Sequence, residues 1–182
     1  MDPKKEKIDL FNATLLCWFV KHKRDFPWRH TSDPYEILVS EMMLQQTQVD
    51  RVLTKYKDFL NRFPTVRVLA DAALGDVLRI WSGLGYNRRA KYLHDCAKIV
   101  IEKYKGLFPQ DFNELQQLPG IGRSTAAALC SFAFGQSEPM IDTNIRRIIC
   151  RVFFTPPLEG DHRKIASLVA RNDKALYTFA KG

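Results

Sequence analysis

The sequence predicts an all-helical protein, and three observations predict it. Apolar residues recur at intervals near the helical period along the 182 residues. No stretch alternates apolar and polar residues toward an Asn-Gly or Asp-Gly turn, the pattern expected of paired strands. Two of the apolar runs open on helix-capping chemistry, at Asp33-Pro34-Tyr35-Glu36 and at Asp111-Phe112-Asn113-Glu114.

Taken in order, a first helix is expected over roughly Ile8 to His22. The capping aspartate, first-turn proline and glutamate at 33–36 open a second, running to about Gln48, and a third follows to about Asn61. Phe63-Pro64-Thr65 breaks the chain. Two short helices fit between Val66 and Trp81, Gly83-Leu84-Gly85 interrupts again, and a longer helix ends near Gly106. Asp111 caps a short helix that runs into Leu118-Pro119-Gly120-Ile121-Gly122. The Ala-rich segment Arg123 to Phe134 is helical, and a further helix begins around Thr143. The residues beyond Thr155 carry no clear pattern. There is no internal repeat, low-complexity segment or long linker.

With 46% apolar residues the chain can bury a core as one domain or as two small interlocked ones. Twenty-eight Lys and Arg against 20 Asp and Glu give a net charge of +8, a field that attracts polyanions. Nucleic acid is the expected partner rather than a membrane, because the longest apolar run, Ile145 to Phe154, is broken by Arg146, Arg147 and Arg151. The charged start MDPKKEK lacks the apolar stretch of a secretory signal, so an intracellular location, cytoplasm or nucleoid, is expected. Cys17, Cys96, Cys130 and Cys150 are scattered with no C-x-x-C pair, and are expected to be buried reduced thiols rather than a zinc or redox site.

The segment Leu118 to Gly122 has a physical purpose of its own. Proline stops one helix, and the glycines allow a sharp turn and remove side chains, leaving N–H groups at the start of the helix that begins at Arg123. Those donors and the positive end of the helix suit a phosphate oxygen of a DNA backbone. The same residues also suit an ordinary tight turn between packed helices.

Two carboxylates stand out. Glu41 shares a helix face with Ile37, Leu38, Leu44 and Gln45, so it either tips out at the edge of an apolar stripe or is desolvated, with a raised pKa useful to a general acid. Asp142 follows Pro139-Met140-Ile141 and precedes a helix. It can cap that helix and, held ionised by backbone donors, stabilise a nearby positive charge.

These segments together carry a resemblance. Phe26-Pro27-Trp28-Arg29, the run Ser40 to Thr47, Gly83-Leu84-Gly85-Tyr86, Leu118 to Thr125, and Ile141 to Arg147 resemble, in order, MutY-type adenine DNA glycosylases of the helix-hairpin-helix superfamily. The likeness runs from about Arg24 to Val152. It implies a six-helix barrel domain over 29–135, with its helix-hairpin-helix at 111–134, and a terminal helical domain from 1–28 and 136–182. The base pocket is then expected in the cleft between them.

Carried over by position, the resemblance makes Glu41 the acid that protonates the adenine ring and Asp142 the carboxylate that stabilises the sugar cation. It places Asn144 in support of that site and Arg29 and Leu44 along the base pocket. Gln46 and Tyr86 push into the base stack. Leu118, Gly120, Gly122, Arg123 and Thr125 grip DNA through the hairpin. Arg29 also suits a structural ion pair, and Gln46 and Tyr86 also suit plain surface and packing roles. Ser124, grouped with the pocket, bears on the reaction class. The related endonuclease III type has a lysine there that attacks the sugar, and a serine forms no Schiff base, so base removal without efficient strand scission is expected.

The resemblance also implies a 4Fe–4S cluster on four cysteines near the end of the catalytic region, and a further domain that reads oxidised guanine. This sequence has neither, so no cofactor is expected, and the chain reads either as a minimal form or as a fragment. The expected ligand is double-stranded DNA with a mispair, bound by a monomer. The rival readings are a mismatch thymine or uracil glycosylase, which shares the scaffold, and an inactive truncated DNA-binding module.

Overall fold

The computed structural model describes residues 3–154, and among them there are helices and turns but no strand. The chain divides into two compact units, Met1–His30 and Thr31–Gly182. The expected terminal segment 136–182 lies outside the described residues from 155 onward.

The first unit is one long helix, α1 (Pro3–His22), followed by a 3₁₀ turn at Pro27–Arg29. α1 starts several residues before the expected Ile8. In this unit Trp18 stacks on His22 and Phe26 on Trp28, with Phe26 buried. His30 pairs with the Asp25 carboxylate. Cys17 is exposed, which corrects the expectation of a buried thiol. An apolar sequence neighbourhood does not say which side of a helix is covered, and Leu16, Trp18 and Val20 around it are exposed too.

The second unit is built around α2 (Pro34–Leu44), which packs against α3 (Val49–Arg62), α6 (Arg88–Tyr104) and α8 (Arg123–Phe132). Its start is local chemistry: the Asp33 carboxylate accepts from the Tyr35 N–H at 2.7 Å, and Pro34 occupies the first turn. With Tyr35, Ile37, Leu38, Val39, Ser40, Met42 and Met43 all buried, α2 is covered nearly all round, as befits a central helix. α3 buries the spaced stripe Val52, Tyr56 and Phe59 instead. The Tyr35 hydroxyl donates to the Phe63 carbonyl at 2.6 Å and ties the start of α2 to the end of α3.

The two short helices expected between Val66 and Trp81 are α4 (Val66–Asp71) and α5 (Leu74–Trp81). Thr65 caps α4 by accepting from the Val68 N–H at 3.2 Å. Both helices lie against α6. Buried His94 of α6 bonds through Nε2 to the Ala72 carbonyl at 2.9 Å, and Trp81 meets Phe59 edge to face. Burying side chains of this size stabilises the unit by about 1.5–3 kcal/mol each. Then come α7 (Phe112–Gln116), α8, α9 (Thr143–Ile149) and a π-helical turn at Cys150–Phe154.

Candidate active site

Glu41 is the single acidic side chain in the buried stretch of α2 between Ile37 and Leu44, and it is half-buried. Burial pushes its carboxyl from an ordinary 4.5 up to about 7. Near neutral pH this group therefore holds its proton about half of the time. A carboxyl in that state can give a proton to a nitrogen placed against it.

α2 ends at Leu44, four residues short of the expected Gln48, although Gln45-Gln46-Thr47-Gln48 contains neither glycine nor proline. The reason lies elsewhere in the chain. Gln46 takes a left-handed backbone at φ 55°, and the last carbonyls of α2 are capped by Arg89, a buried residue of α6. One guanidinium nitrogen of Arg89, Nη1, reaches the Met42 carbonyl at 2.8 Å, the Met43 carbonyl at 3.0 Å and the Gln45 carbonyl. A cation at a helix C-terminus meets both the unsatisfied carbonyls and the negative end of the dipole.

The other nitrogen of the fork, Nη2, donates to the Thr47 hydroxyl at 3.0 Å and to the Leu84 and Gly85 carbonyls at 3.3 and 3.2 Å. The guanidinium also lies 5.5 Å from the Trp81 ring centroid and 5.4 Å from that of Tyr86. Thus Gln46 and Tyr86 are carried on two loops joined by one cation. Gln46 is exposed, and Tyr86 is 63% exposed with a left-handed φ of 49°. Arg89 was not singled out from the sequence. The available signal was its place on the buried stripe of α6, in line with Leu93, Ala97 and Val100.

At the hairpin, Asp111 caps α7 by accepting from the N–H groups of Asn113 and Glu114 at 2.9 and 3.0 Å. The turn that follows brings Gly120 against α2 and α6: a Cβ there would lie 2.6 Å from Met42 Cε and 2.8 Å from Tyr92 Cβ. With φ at +76° this position favours glycine on both counts. Gly122 differs, since it caps α8 in an extended conformation with nothing within 4 Å of an added Cβ. The turn N–H of Ile121 is occupied by the Leu118 carbonyl at 3.1 Å, so the donors α8 can offer are those of its own first turn. Arg123 and Ser124 are exposed there, and the Arg123 guanidinium lies over the Phe112 ring. Leu118 and Thr125, expected among the DNA contacts, are 3% and 5% exposed. Their side chains face the interior, so their part in the hairpin is packing and backbone.

Asp142 is the N-cap of α9: its carboxylate accepts from the Ile145 N–H at 2.7 Å and is otherwise exposed, as is Asn144 two residues on. The cap and the cation-stabilising role use different oxygen lone pairs of one carboxylate, so one does not preclude the other. Leu44 ends α2 and is half-buried. Arg29 belongs to the first unit, where it is exposed, donates to the Arg24 carbonyl at 3.0 Å and sits over the Phe26 ring. Among the expected residues, then, the structure joins the hairpin to α2 beside Glu41, and the Gln46 loop to the Tyr86 loop. Asp142 and Asn144 stand on their own element, α9.

Cys96, Cys130 and Cys150 are buried on separate elements, burial pushes the Cys96 thiol up to about 12, and Cys17 is on α1. Among the described residues no group of three or more His, Cys, Asp or Glu side chains could hold a metal ion. No described helix is long and apolar enough to cross a membrane.

A family model described as HhH-GPD superfamily base excision DNA repair protein matches residues 39–170. The adenine DNA glycosylase of Mycobacterium tuberculosis (strain ATCC 25618 / H37Rv) is 40% identical over 171 residues, which make up 90% of this chain and 56% of that protein. The adenine DNA glycosylase of Homo sapiens is 41% identical over 155 residues, 80% of this chain and 28% of that protein. The chain thus spans about half the length of the mycobacterial relative and less of the human one. A solved thermostable thymine-DNA glycosylase superposes with a TM-score of 0.83 at 30% identity, over 98% of this chain and 79% of that one. An endonuclease III–DNA complex superposes with a TM-score of 0.73 at 22% identity, over 99% and 83%, a likeness that bears on the fold alone. The expected helix-hairpin-helix fold and the expected likeness to adenine DNA glycosylases are both borne out.

Proposed function

The chain belongs to the HhH-GPD superfamily of base excision DNA repair proteins, and on that premise we propose that it is a monofunctional DNA glycosylase. Its proposed substrate is adenine mispaired with 8-oxoguanine or guanine in double-stranded DNA, whose N-glycosidic bond it hydrolyses. The observation that carries this reading is Glu41: a half-buried carboxyl with its pKa raised to about 7 on the central helix, in a protein of net charge +8.

In the proposed reaction the extruded adenine accepts the Glu41 proton on a ring nitrogen. The bond from sugar to base breaks with its electron pair leaving on the now neutral base, and the sugar becomes an oxocarbenium-like cation. The Asp142 carboxylate, anchored by the Ile145 N–H, stabilises that cation until water adds and releases a proton. Asn144 supports Asp142, and Leu44 lines the base pocket. Gln46 and Tyr86 fill the space the base leaves. Gly120, Gly122 and Arg123, with Leu118 and Thr125 behind them, hold the backbone phosphates. Ser124 carries no amine, so the sugar is not captured and the strand stays intact. The protein is taken to work as an intracellular monomer.

The test is a glycosylase assay on duplexes containing A·8-oxoguanine, A·G, T·G and U·G pairs, with hot alkali afterwards to break the strand at abasic sites. Alkali-dependent cleavage at adenine is the expected outcome, and no cleavage with any duplex would leave only a DNA-binding module. A second reading, mismatch thymine or uracil excision, is favoured by the superposition on the thermostable thymine-DNA glycosylase. Cleavage confined to T·G or U·G would establish it.

A further inference from the structure

We infer that Arg89 is a positioning residue, whose guanidinium sets Gln46 and Tyr86 as a matched pair on two loops so that both enter the base stack together. The inference rests on the glycosylase reading above and goes beyond it, because Arg89 is buried and would act only through the two loops it holds.

The geometry divides its labour. Nη1 holds the end of α2 through the Met42, Met43 and Gln45 carbonyls. Nη2 holds the two loops to each other, through the Thr47 hydroxyl on one side and the Leu84 and Gly85 carbonyls on the other. The Thr47 hydroxyl also stands 3.4 Å from the Leu84 carbonyl, and the Trp81 indole N–H donates to the Gly85 carbonyl at 3.2 Å. The acceptors at Gln45, Thr47, Leu84 and Gly85 all lie within two residues of Gln46 or Tyr86.

Both of those residues are non-glycine residues in the left-handed region, at φ 55° and 49°. Such conformations persist where the surroundings over-determine them. Here most of the bonds that over-determine them come from one side chain, and each loop projects an exposed polar or aromatic group. The Tyr86 ring gains further definition because the same guanidinium, backed by buried Trp81, lies 5.4 Å from its centroid. A lysine cannot reproduce this, since an ammonium is a point donor without a planar fork to span two loops or a flat face to stack on.

The experiment uses the full chain and two duplexes, one with adenine opposite guanine for base release and one with 2-aminopurine in its place, whose fluorescence rises when the base leaves the stack. Arg89→Lys and Thr47→Val are compared with the unaltered protein for helical circular dichroism, duplex affinity, fluorescence rise and single-turnover release of adenine. Thr47→Val is included because it removes one bond to Nη2 and keeps the charge and bulk of the site, so it reports even if Arg89→Lys folds poorly. Misplacement of positioning groups predicts release slower by about tenfold or more in Arg89→Lys, and a weaker fluorescence rise in both variants. Duplex affinity, set by phosphate contacts elsewhere, should stay within about threefold. A rise and release rate equal to the unaltered protein in both variants, or losses that only follow duplex affinity, would overturn the inference. If the unaltered protein itself gives neither a rise nor base release, the glycosylase reading fails first and takes this one with it.

Discussion

Gly120 and Met42 are in such close contact that a single carbon added to the first would lie 2.6 Å from the terminal methyl of the second. The Met42 methyl is the flexible end of a side chain and can swing aside. Tyr92 Cβ, at 2.8 Å on the other side, is fixed to the backbone of α6 and cannot. The hairpin is therefore seated on the helix that carries Glu41 by the absence of a side chain.

Gly120→Ala is accordingly expected to destabilise the protein by about 3 kcal/mol, from overpacking and a left-handed backbone together. Gly122→Ala meets open space and should change the melting temperature little. It should instead weaken duplex binding about tenfold, because its methyl stands at the capping position of α8 where a phosphate is to approach. Thermal melts and a binding titration on both variants check this, and equal melts for the two would show that the hairpin is not seated on α2.

Glu41 should make stability depend on pH in a defined direction. Its folded pKa, about 7, lies above the ordinary 4.5, so between those values the folded state binds more protons than the unfolded one. Its contribution is fully present below 4.5 and is lost as pH rises through 7, by up to about 3 kcal/mol. Glu41→Gln does not titrate. The variant should match the unaltered protein near pH 4 and exceed it by about 1–3 kcal/mol at pH 8, while base release falls at least about a hundredfold. Denaturation curves at both pH values decide the matter, and a difference that does not change with pH would remove the buried-acid argument.

Asp142 separates a cap from a charge. Asn keeps an oxygen for the Ile145 N–H, whereas Ala does not. Asp142→Asn should retain stability and duplex affinity yet lose base release by about a hundredfold or more. Asp142→Ala should lose a further 1 kcal/mol or so of stability. Full turnover in Asp142→Asn would reduce the residue to its capping role.

The proposed phosphate contacts at the hairpin would make duplex affinity fall with salt. If about three phosphates are neutralised, log affinity against log salt has a slope of about −2.7, about a fortyfold loss between roughly 50 and 200 mM. A flat titration would contradict an electrostatic hold on the DNA.

What could be read from the sequence was what local chemistry decides. The caps at Asp33, Asp111 and Asp142 act on amides two or three residues away, and all three stand where the sequence put them. Glu41 was legible because its apolar neighbours at helical spacing lie on the same helix. The end of α2 was not legible, since Gln45-Gln46-Thr47 has good helix formers and the residue that caps it is 44 positions from Gln45. Arg89 escaped for the same reason: its partners are mostly backbone carbonyls, which every residue carries and no sequence reveals. The inward aim of Leu118 and Thr125 follows from the way α8 packs on α2, a tertiary fact that the hairpin motif does not contain.

Arg89 also governs how this part of the molecule loosens. Because one guanidinium answers carbonyls from the end of α2 and from Leu84 and Gly85, neither stretch can fray without leaving that buried cation short of acceptors. The two stretches should behave in amide hydrogen exchange as one cooperative opening unit, slower than surface loops ordinarily are. A loop anchored from the interior in this way meets its ligand already ordered, and little further entropy is lost when the two come together.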